Sequence, residues 1–442
     1  MRLVHAAFAL LALTALSGEA VYAQMPQVQR PYRGLFGGNP NRPHSLDLTA
    51  IVNGGWDDNA TMNDPGGGVV VDPRFRLQSW WAGLSVGLSY GHHRDRWSVS
   101  ANAATTGRYY VDQGKFSAFN YSVAAGLSAE LNSRTTLQLT QTAAYLPYYQ
   151  LGLFQPVYEP DVGELPAVPP DLALYDNPSW RFDTAVGLSR ELSRRSDLSV
   201  SYNYGLTNYE RPGSVDASTQ SAGARYSYSL TAGLALRVGY RYTRGNYVYD
   251  VTTLASRPVE WHDIDTGLSF GRALSISRKT TVSFSVGSSL IETVQPATGD
   301  TTRRFDVVGN AGLTHQFGRS WALGVFYNRG VGFPSGLAQP TVYDAVSGRL
   351  SGLLTDRSSC DVFAGWSSGT VGVGAAASNP YDTAAVGVGY QYALTANLAA
   401  TARYTYYRYF FENGAFIPPG MSQDLGRNSV WFGLSVWVPL LR

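Results

Sequence analysis

The densest group of residues able to do chemistry is "EWHDID", Glu260 to Asp265, where His262 stands beside Asp263 and close to Asp265. An imidazole with two carboxylates could polarise a water molecule. In an extended chain, however, Asp263 and Asp265 share one face and His262 takes the other, so the three do not converge. The remaining histidines offer no better set. His92 and His93 fall in a polar turn, His315 lies close to another, His44 precedes the first regular segment, and none has a nucleophile at hand. No combination of His, Cys, Asp and Glu has zinc or EF-hand spacing. The expectation is a chain that is not an enzyme, with no catalytic residue, no metal and no cofactor.

The other residues with chemical potential are basic, and the elements that position them are strands. Around "SDLSVSYNYGLTNY" one parity reads Leu198, Val200, Tyr202, Tyr204, Leu206 and the other Ser199, Ser201, Asn203, Gly205, Thr207. That period of two marks a strand with one apolar face. The pattern recurs between short polar knots such as "GHHRDRW" (91–97), "ELNSRTT" (130–136), "ELSRRSD" (191–197), "SISRKTT" (275–281) and "LTDRSSC" (354–360). It predicts eight hairpins, at 76–110, 116–149, 179–209, 217–247, 259–294, 302–334, 341–376 and 383–411. A first strand near 45–56 and a last near 428–440 bring the total to about 18, an even number that lets an up-and-down barrel close.

Composition agrees with an all-β chain. Of 442 residues, 15% are charged and 44% apolar, with 47 Gly, 29 Tyr and 10 Trp, a load suited to strands and tight turns. The single cysteine, Cys360, forms no intrachain disulfide, so sheet closure has to supply the stability that covalent bridges give other exported proteins. A formal net charge of +2 removes the electrostatic case for a nucleic-acid partner. Residues 1–23 read as a signal peptide: Arg2, an apolar stretch Ala6 to Leu16, and Val21-Tyr22-Ala23 at the cleavage end. Residues 24–44, with Arg30, Arg33 and Arg42 and no acid, read as an extended periplasmic tail. Residues 45–442 read as the barrel.

The short knots are expected on the periplasmic side. The longer connections 57–75, 150–178, 248–258, 295–301, 334–340 and 412–427 are expected outside. Tyr109, Tyr110, Tyr145, Tyr204, Tyr209, Tyr240, Tyr242 and the run "RYTYYRYFF" (403–411) crowd the strand ends near those loops, as an interfacial girdle does. Leu84, Val86, Leu88, Val186, Leu188, Val282, Phe284, Val286, Phe432, Leu434 and Val436 occupy the apolar parity, while the other carries mostly Ser, Gly, Thr, Asn and Arg. Such small polar residues cannot fill a barrel of this size, so their face is expected to meet water and the apolar face lipid. A secreted two-sheet sandwich is the weaker alternative, because it needs apolar residues meeting across a core.

With the signal peptide, the polar N-terminal stretch, the short Arg/Ser turns and the tyrosine-capped strands, the sequence resembles porin-like outer-membrane barrels. Within that class it is similar to the β-barrel porin proteins that accompany bacterial exopolysaccharide secretion. The resemblance implies an outer-membrane channel for polysaccharide export, with outer-membrane lipid, the barrel-insertion machinery and a periplasmic polysaccharide-export protein as partners. The chain departs from many such barrels at its end, "FGLSVWVPLLR", where Trp437 is the last aromatic. Two other readings stay open: a general or sugar-uptake diffusion porin, and a plugged structural or adhesive barrel.

Two site expectations follow from parity and composition. Arg225, Arg237 and Arg241 fall on the luminal side of two neighbouring strands, with Arg349 and Arg403 at similar depth on later ones and luminal acids nearer the strand ends, giving a positive, anion-preferring middle. Loop 150–178 carries Glu159, Asp161, Glu164, Asp171 and Asp176 with six prolines and no Lys or Arg, and is expected to fold over the mouth as a lid.

Overall fold

The computed structural model describes residues 44–59, 78–111, 116–147, 149–150, 172–173, 178–210, 216–231, 233–250, 255–273, 279–294, 301–318, 320–332, 341–371, 379–412 and 423–441. The expected signal peptide, nearly all of the tail, and the acids of the expected lid (Glu159, Asp161, Glu164, Asp171, Asp176) lie outside the described residues. Within loop 150–178, a two-residue strand β7 (Leu172–Ala173) pairs with β6 (Tyr149–Gln150).

Eighteen strands form one sheet. They are β1 (His44–Asp57), β2 (Ser79–Arg94), β3 (Trp97–Tyr110), β4 (Phe116–Asn132), β5 (Thr135–Leu146), β8 (Ser179–Ser193), β9 (Ser196–Tyr209), β10 (Ala217–Thr231) and β11 (Leu234–Asp250). The second half comprises β12 (Ala255–Ala273), β13 (Thr280–Val294), β14 (Thr301–Phe317), β15 (Trp321–Gly332), β16 (Thr341–Thr355), β17 (Ser358–Val371), β18 (Asn379–Ala393), β19 (Leu398–Phe411) and β20 (Asp424–Leu441). Each pairs antiparallel with its sequence neighbours, and β1 pairs with β20 from Leu46↔Leu441 to Asp57↔Ser429, which closes the sheet. All eight expected hairpins are present. The connection expected at 248–258 is shorter, because β11 and β12 stay paired, through a register shift after Val248↔Ser256, up to Asp250↔Ala255; β20 likewise starts earlier than expected, at Asp424.

The short turns share one local device. A side-chain oxygen accepts the backbone N–H two residues on: Asn132 from Arg134 at 2.9 Å, and Ser193 from Arg195, Thr355 from Arg357 and Thr395 from Asn397, each at 3.2 Å. This is how Asn, Ser and Thr favour turns over ladders. Gly318 turns the β14–β15 connection with φ of 62°, a left-handed conformation that costs glycine nothing.

The alternation sorts as expected. Leu84, Val123, Val286 and Phe432 are 51%, 54%, 48% and 62% exposed on the outer face. Leaving dozens of such side chains in water would forgo about 1.5–3 kcal/mol each, which a hydrocarbon surround removes. Among the described residues no helix is long and apolar enough to cross a membrane. A closed sheet with an apolar exterior and a polar interior satisfies every backbone group at bilayer depth. The molecule is a transmembrane β-barrel of the outer-membrane kind.

The inner face differs from expectation in one sector. The run 403–411 is not a girdle throughout: Tyr404 and Phe410 face outward, whereas Tyr407, Tyr409 and Phe411 face inward and are buried, with Tyr381, Leu425, Trp81 and Tyr110. Tyr209 also takes the inner parity of β9. Consecutive residues of a strand cannot share a face, so a run of aromatics must serve both. The rings pack edge to face and tilted, Tyr409–Phe411 with centroids 5.5 Å apart and Tyr381–Phe411 5.8 Å apart. Beside them, the Arg108 guanidinium lies 4.2 Å from the centroid of the Trp81 ring. This part of the lumen is packed with side chains.

Candidate functional site in the lumen

β10 and β11 carry the basic trio by simple register. Gly223 faces Arg241, Gly239 faces Arg225 and Ser227 faces Arg237, which makes Arg225 a diagonal neighbour of both other arginines. The glycines are part of the arrangement, since a Cβ on Gly239 would come 3.2 Å from Cβ of Arg225, and one on Gly223 would come 3.1 Å from Cβ of Arg241. Removing those side chains gives the long arginine stems a floor to lie across. Diagonal positions are about 7–8 Å apart. At that separation like charges repel by about 2 kcal/mol at an effective dielectric of ~20.

One carboxylate stands among them. Asp263 on β12 is directly opposite Arg241, and accepts a hydrogen bond from Ser289 Oγ at 2.5 Å. The expectation that luminal acids keep to the strand ends therefore does not hold for Asp263, nor for Asp265, whose backbone is opposite Gly239. Asp306 is buried beside Arg304 Nε at 2.7 Å, while Glu130 and Glu191 are close to the short turns.

Arg225, Arg237, Arg241 and Asp263 line a recess of about 250 Å³ in the inner wall together with Ser199, Ser201, Asn310, Asn328, Arg329 and Tyr343. Four arginines and one aspartate, among hydroxyl and amide groups, make a site suited to anions. Arg349 and Arg403 are elsewhere on the wall. Arg403 pairs with Asp361 at 3.3 Å across an intervening strand, and Gly389, between them in register, leaves the gap they bridge. Arg349 faces Gly324 on one side and Phe363 on the other. The structure thus brings together three of the five arginines singled out from the sequence and gives Arg403 a bracing partner.

Parity alone missed Arg329. It has the outward parity of β15, with Val325 and Tyr327, yet it reaches the recess. His262 is outward as expected, with Nδ1 2.6 Å from the Tyr240 hydroxyl, so it does not approach Asp263 from the same face. Among the described residues no three His, Cys, Asp or Glu side chains cluster as metal ligands.

No family model matches the chain, and no characterised protein matches it in sequence. Solved structures match in shape. OpdQ of Pseudomonas aeruginosa is 11% identical, with 90% of this chain and 98% of that one covered and a TM-score of 0.42. OccAB4 of Acinetobacter baumannii is 11% identical, with 90% and 100% covered and a TM-score of 0.43. The siderophore receptor PirA of Pseudomonas aeruginosa is 11% identical, with 89% and 80% covered and a TM-score of 0.43. These likenesses add nothing beyond the closed strand pairing already described.

Proposed function

We propose that this barrel is a passive outer-membrane diffusion channel for small solutes, with a preference for anions. The observation that carries the reading is the convergence of Arg225, Arg237, Arg241 and Arg329 on one luminal recess that holds a single aspartate among its lining residues. Basic side chains at a narrowing favour anion passage because they replace part of the solute's hydration with fixed positive charge. Arg349 adds positive charge to the wall at another position, whereas the charge of Arg403 is balanced by Asp361.

Small cargo fits better than polymer. The inward aromatics Tyr381, Tyr407, Tyr409 and Phe411 reduce the width left by an 18-stranded wall. Polysaccharide export, with a periplasmic export partner, rests on the sequence resemblance alone, and a plugged adhesive barrel would pass no current. The test is the zero-current potential across a planar bilayer under a KCl gradient. Wild type is expected to prefer chloride, and Arg225, Arg237 and Arg241 changed together to Ser are expected to lose most of that preference. Cation preference in the wild type, or no response to the triple change, overturns the anion reading.

A further inference from the structure

The wall does not stay paired to its full height. β14 and β15 are in register from Phe317↔Trp321 to Gly309↔Arg329, and there the ladder stops, although β14 begins at Thr301 and β15 continues to Gly332. The nine paired positions from Gly309 to Phe317 span about 30 Å along the strand. At a tilt of about 40° this is about 23 Å of height, close to the ~25 Å apolar band of such barrels. The β14–β15 ladder therefore crosses the bilayer core, and the parting begins near the outer interface.

Above the parting, the ends of β15, β16 and β17 lie inside those of β12, β13 and β14. Counting along unbroken registers, Val331, Val342 and Thr370 belong to the outward face, in step with the exposed Val325, Val346 and Trp366. Yet Val342 is buried against Trp261 and Ile291, with Val331 packed on the same cluster, and Thr370 Oγ1 accepts a hydrogen bond from Arg304 Nη1 at 3.4 Å. Trp261, Ile291 and Arg304 form one register row on the luminal face. An outward face meets a luminal face only where one sheet end has passed behind another. Arg329 fastens the overlap: its Nε donates to the carbonyl of Val307 on β14 at 3.1 Å, and its Nη1 to Asp344 Oδ2 at 2.7 Å. The same tuck places Arg329, Gly330, Val331 and Tyr343 in the basic recess.

The sequence also fits a second arrangement. Continuing the β14–β15 register past Gly309↔Arg329 sets Val308 opposite Gly330, Val307 opposite Val331 and Asp306 opposite Gly332. Val307 and Val331 then both face outward, as the apolar parity of the lower wall demands, and the free edge of β14 gains ladder partners. We propose that the ends of β15, β16 and β17 are a flap with two positions, tucked against Trp261 and Ile291 over the recess, or straightened so that β15 pairs with the edge of β14. Straightening widens the lumen and takes Arg329 and Tyr343 away from Arg225, Arg237 and Arg241. The flap rests on the channel reading given above, but not on its anion preference.

Two disulfide locks, each in a Cys360→Ser background, test it by single-channel recording. Ile291→Cys with Val342→Cys holds the tucked position. Val307→Cys with Val331→Cys can close only in the straightened one, where cross-strand neighbours come within disulfide reach. After copper-phenanthroline oxidation the first lock is expected to leave one low conductance level, and the second one level at least twofold higher. Dithiothreitol should return both to wild-type behaviour. A 307–331 disulfide that fails to form where the 291–342 disulfide forms, or a conductance that neither lock changes, overturns the flap. Locks that act in a channel without anion preference leave the flap standing and remove the anion reading. Absence of current in wild type and in both locks overturns the flap together with the channel reading.

Discussion

Arg427, in the last strand, donates from Nε to both carboxylate oxygens of Asp57, in the first strand, at 2.9 Å each. One position further, Asn428 N and Nδ2 both reach the carboxylate of Asp58 at 2.6 Å. The two chain ends of the barrel are therefore joined on the long-loop side by a charged clasp as well as by the β1–β20 ladder. Arg427 is 5% and Asp57 2% exposed, so solvent screens the pair little.

Breaking this clasp from one side should be severe. Asp57→Ala leaves a buried guanidinium without its counter-ion, a situation that costs about 3–5 kcal/mol. The expected outcome is a lower temperature for the shift from the folded to the unfolded band in heat-modifiability gels. Asp57→Ala with Arg427→Met should recover a large part of the loss, because the double change buries no lone charge. Equal melting of the single and double variants would show that the pair contributes packing rather than charge.

Ser199 and Val200 are adjacent in sequence and opposite in fate. Ser199 lines the recess and is directly opposite Arg225, whereas Val200 is 46% exposed on the outer face. An arginine on the lipid side near the bilayer midplane costs about 2–4 kcal/mol. Val200→Arg should therefore reduce the yield of inserted barrel, while Ser199→Glu should insert normally and lower chloride preference by pairing with Arg225. Unfolding titrations in lipid vesicles and reversal potentials measure the two effects separately.

Gly389 is the neighbour in register of both Asp361 and Arg403. A Cβ there would press on the Asp361 carboxylate and come 3.2 Å from Arg403 Nε. Gly389→Val is expected to part the ion pair, destabilise the barrel by about 1–3 kcal/mol, and free Arg403 to add positive potential to the lumen. The variant should melt earlier and favour chloride more strongly than wild type. An unchanged reversal potential with earlier melting would confine Arg403 to a bracing role.

Strand number, hairpin positions and the identity of the lipid face were readable because all of them follow from a period of two. Val200 and Ser199, or Phe432 and Gly433, declare their faces without knowledge of any other strand. What depended on contacts between distant strands was not readable. Asp361 reaches Arg403 only across a glycine of the strand between them, and Asp263 meets Arg241 only once the registers are fixed. The tuck of β15 was hidden for another reason: Val331 keeps the outward parity of Val325 and Tyr327, with Arg329 alone interrupting the apolar series. A local pattern specifies which face a residue is on, and cannot show that the whole strand end has moved behind its neighbour. The run 403–411 misled in the opposite way, since residue type suggested a girdle where alternation required two destinations.

That divided run supports a final prediction about the width of the lumen. Tyr409 is fully buried on the inner face, in ring contact with Tyr407 and Phe411, while Phe410 beside it is 42% exposed outward. Truncating a buried aromatic to alanine costs about 3–5 kcal/mol through lost burial and the cavity left behind. Tyr409→Ala should therefore melt earlier, and it should also raise single-channel conductance, because the cavity it leaves borders the lumen. Phe410→Ala removes apolar area from the lipid side and should weaken insertion with no change in conductance. Paired recordings and melts of the two variants decide the matter. Equal conductance in Tyr409→Ala and wild type would mean that the aromatic cluster packs against the wall without narrowing the path.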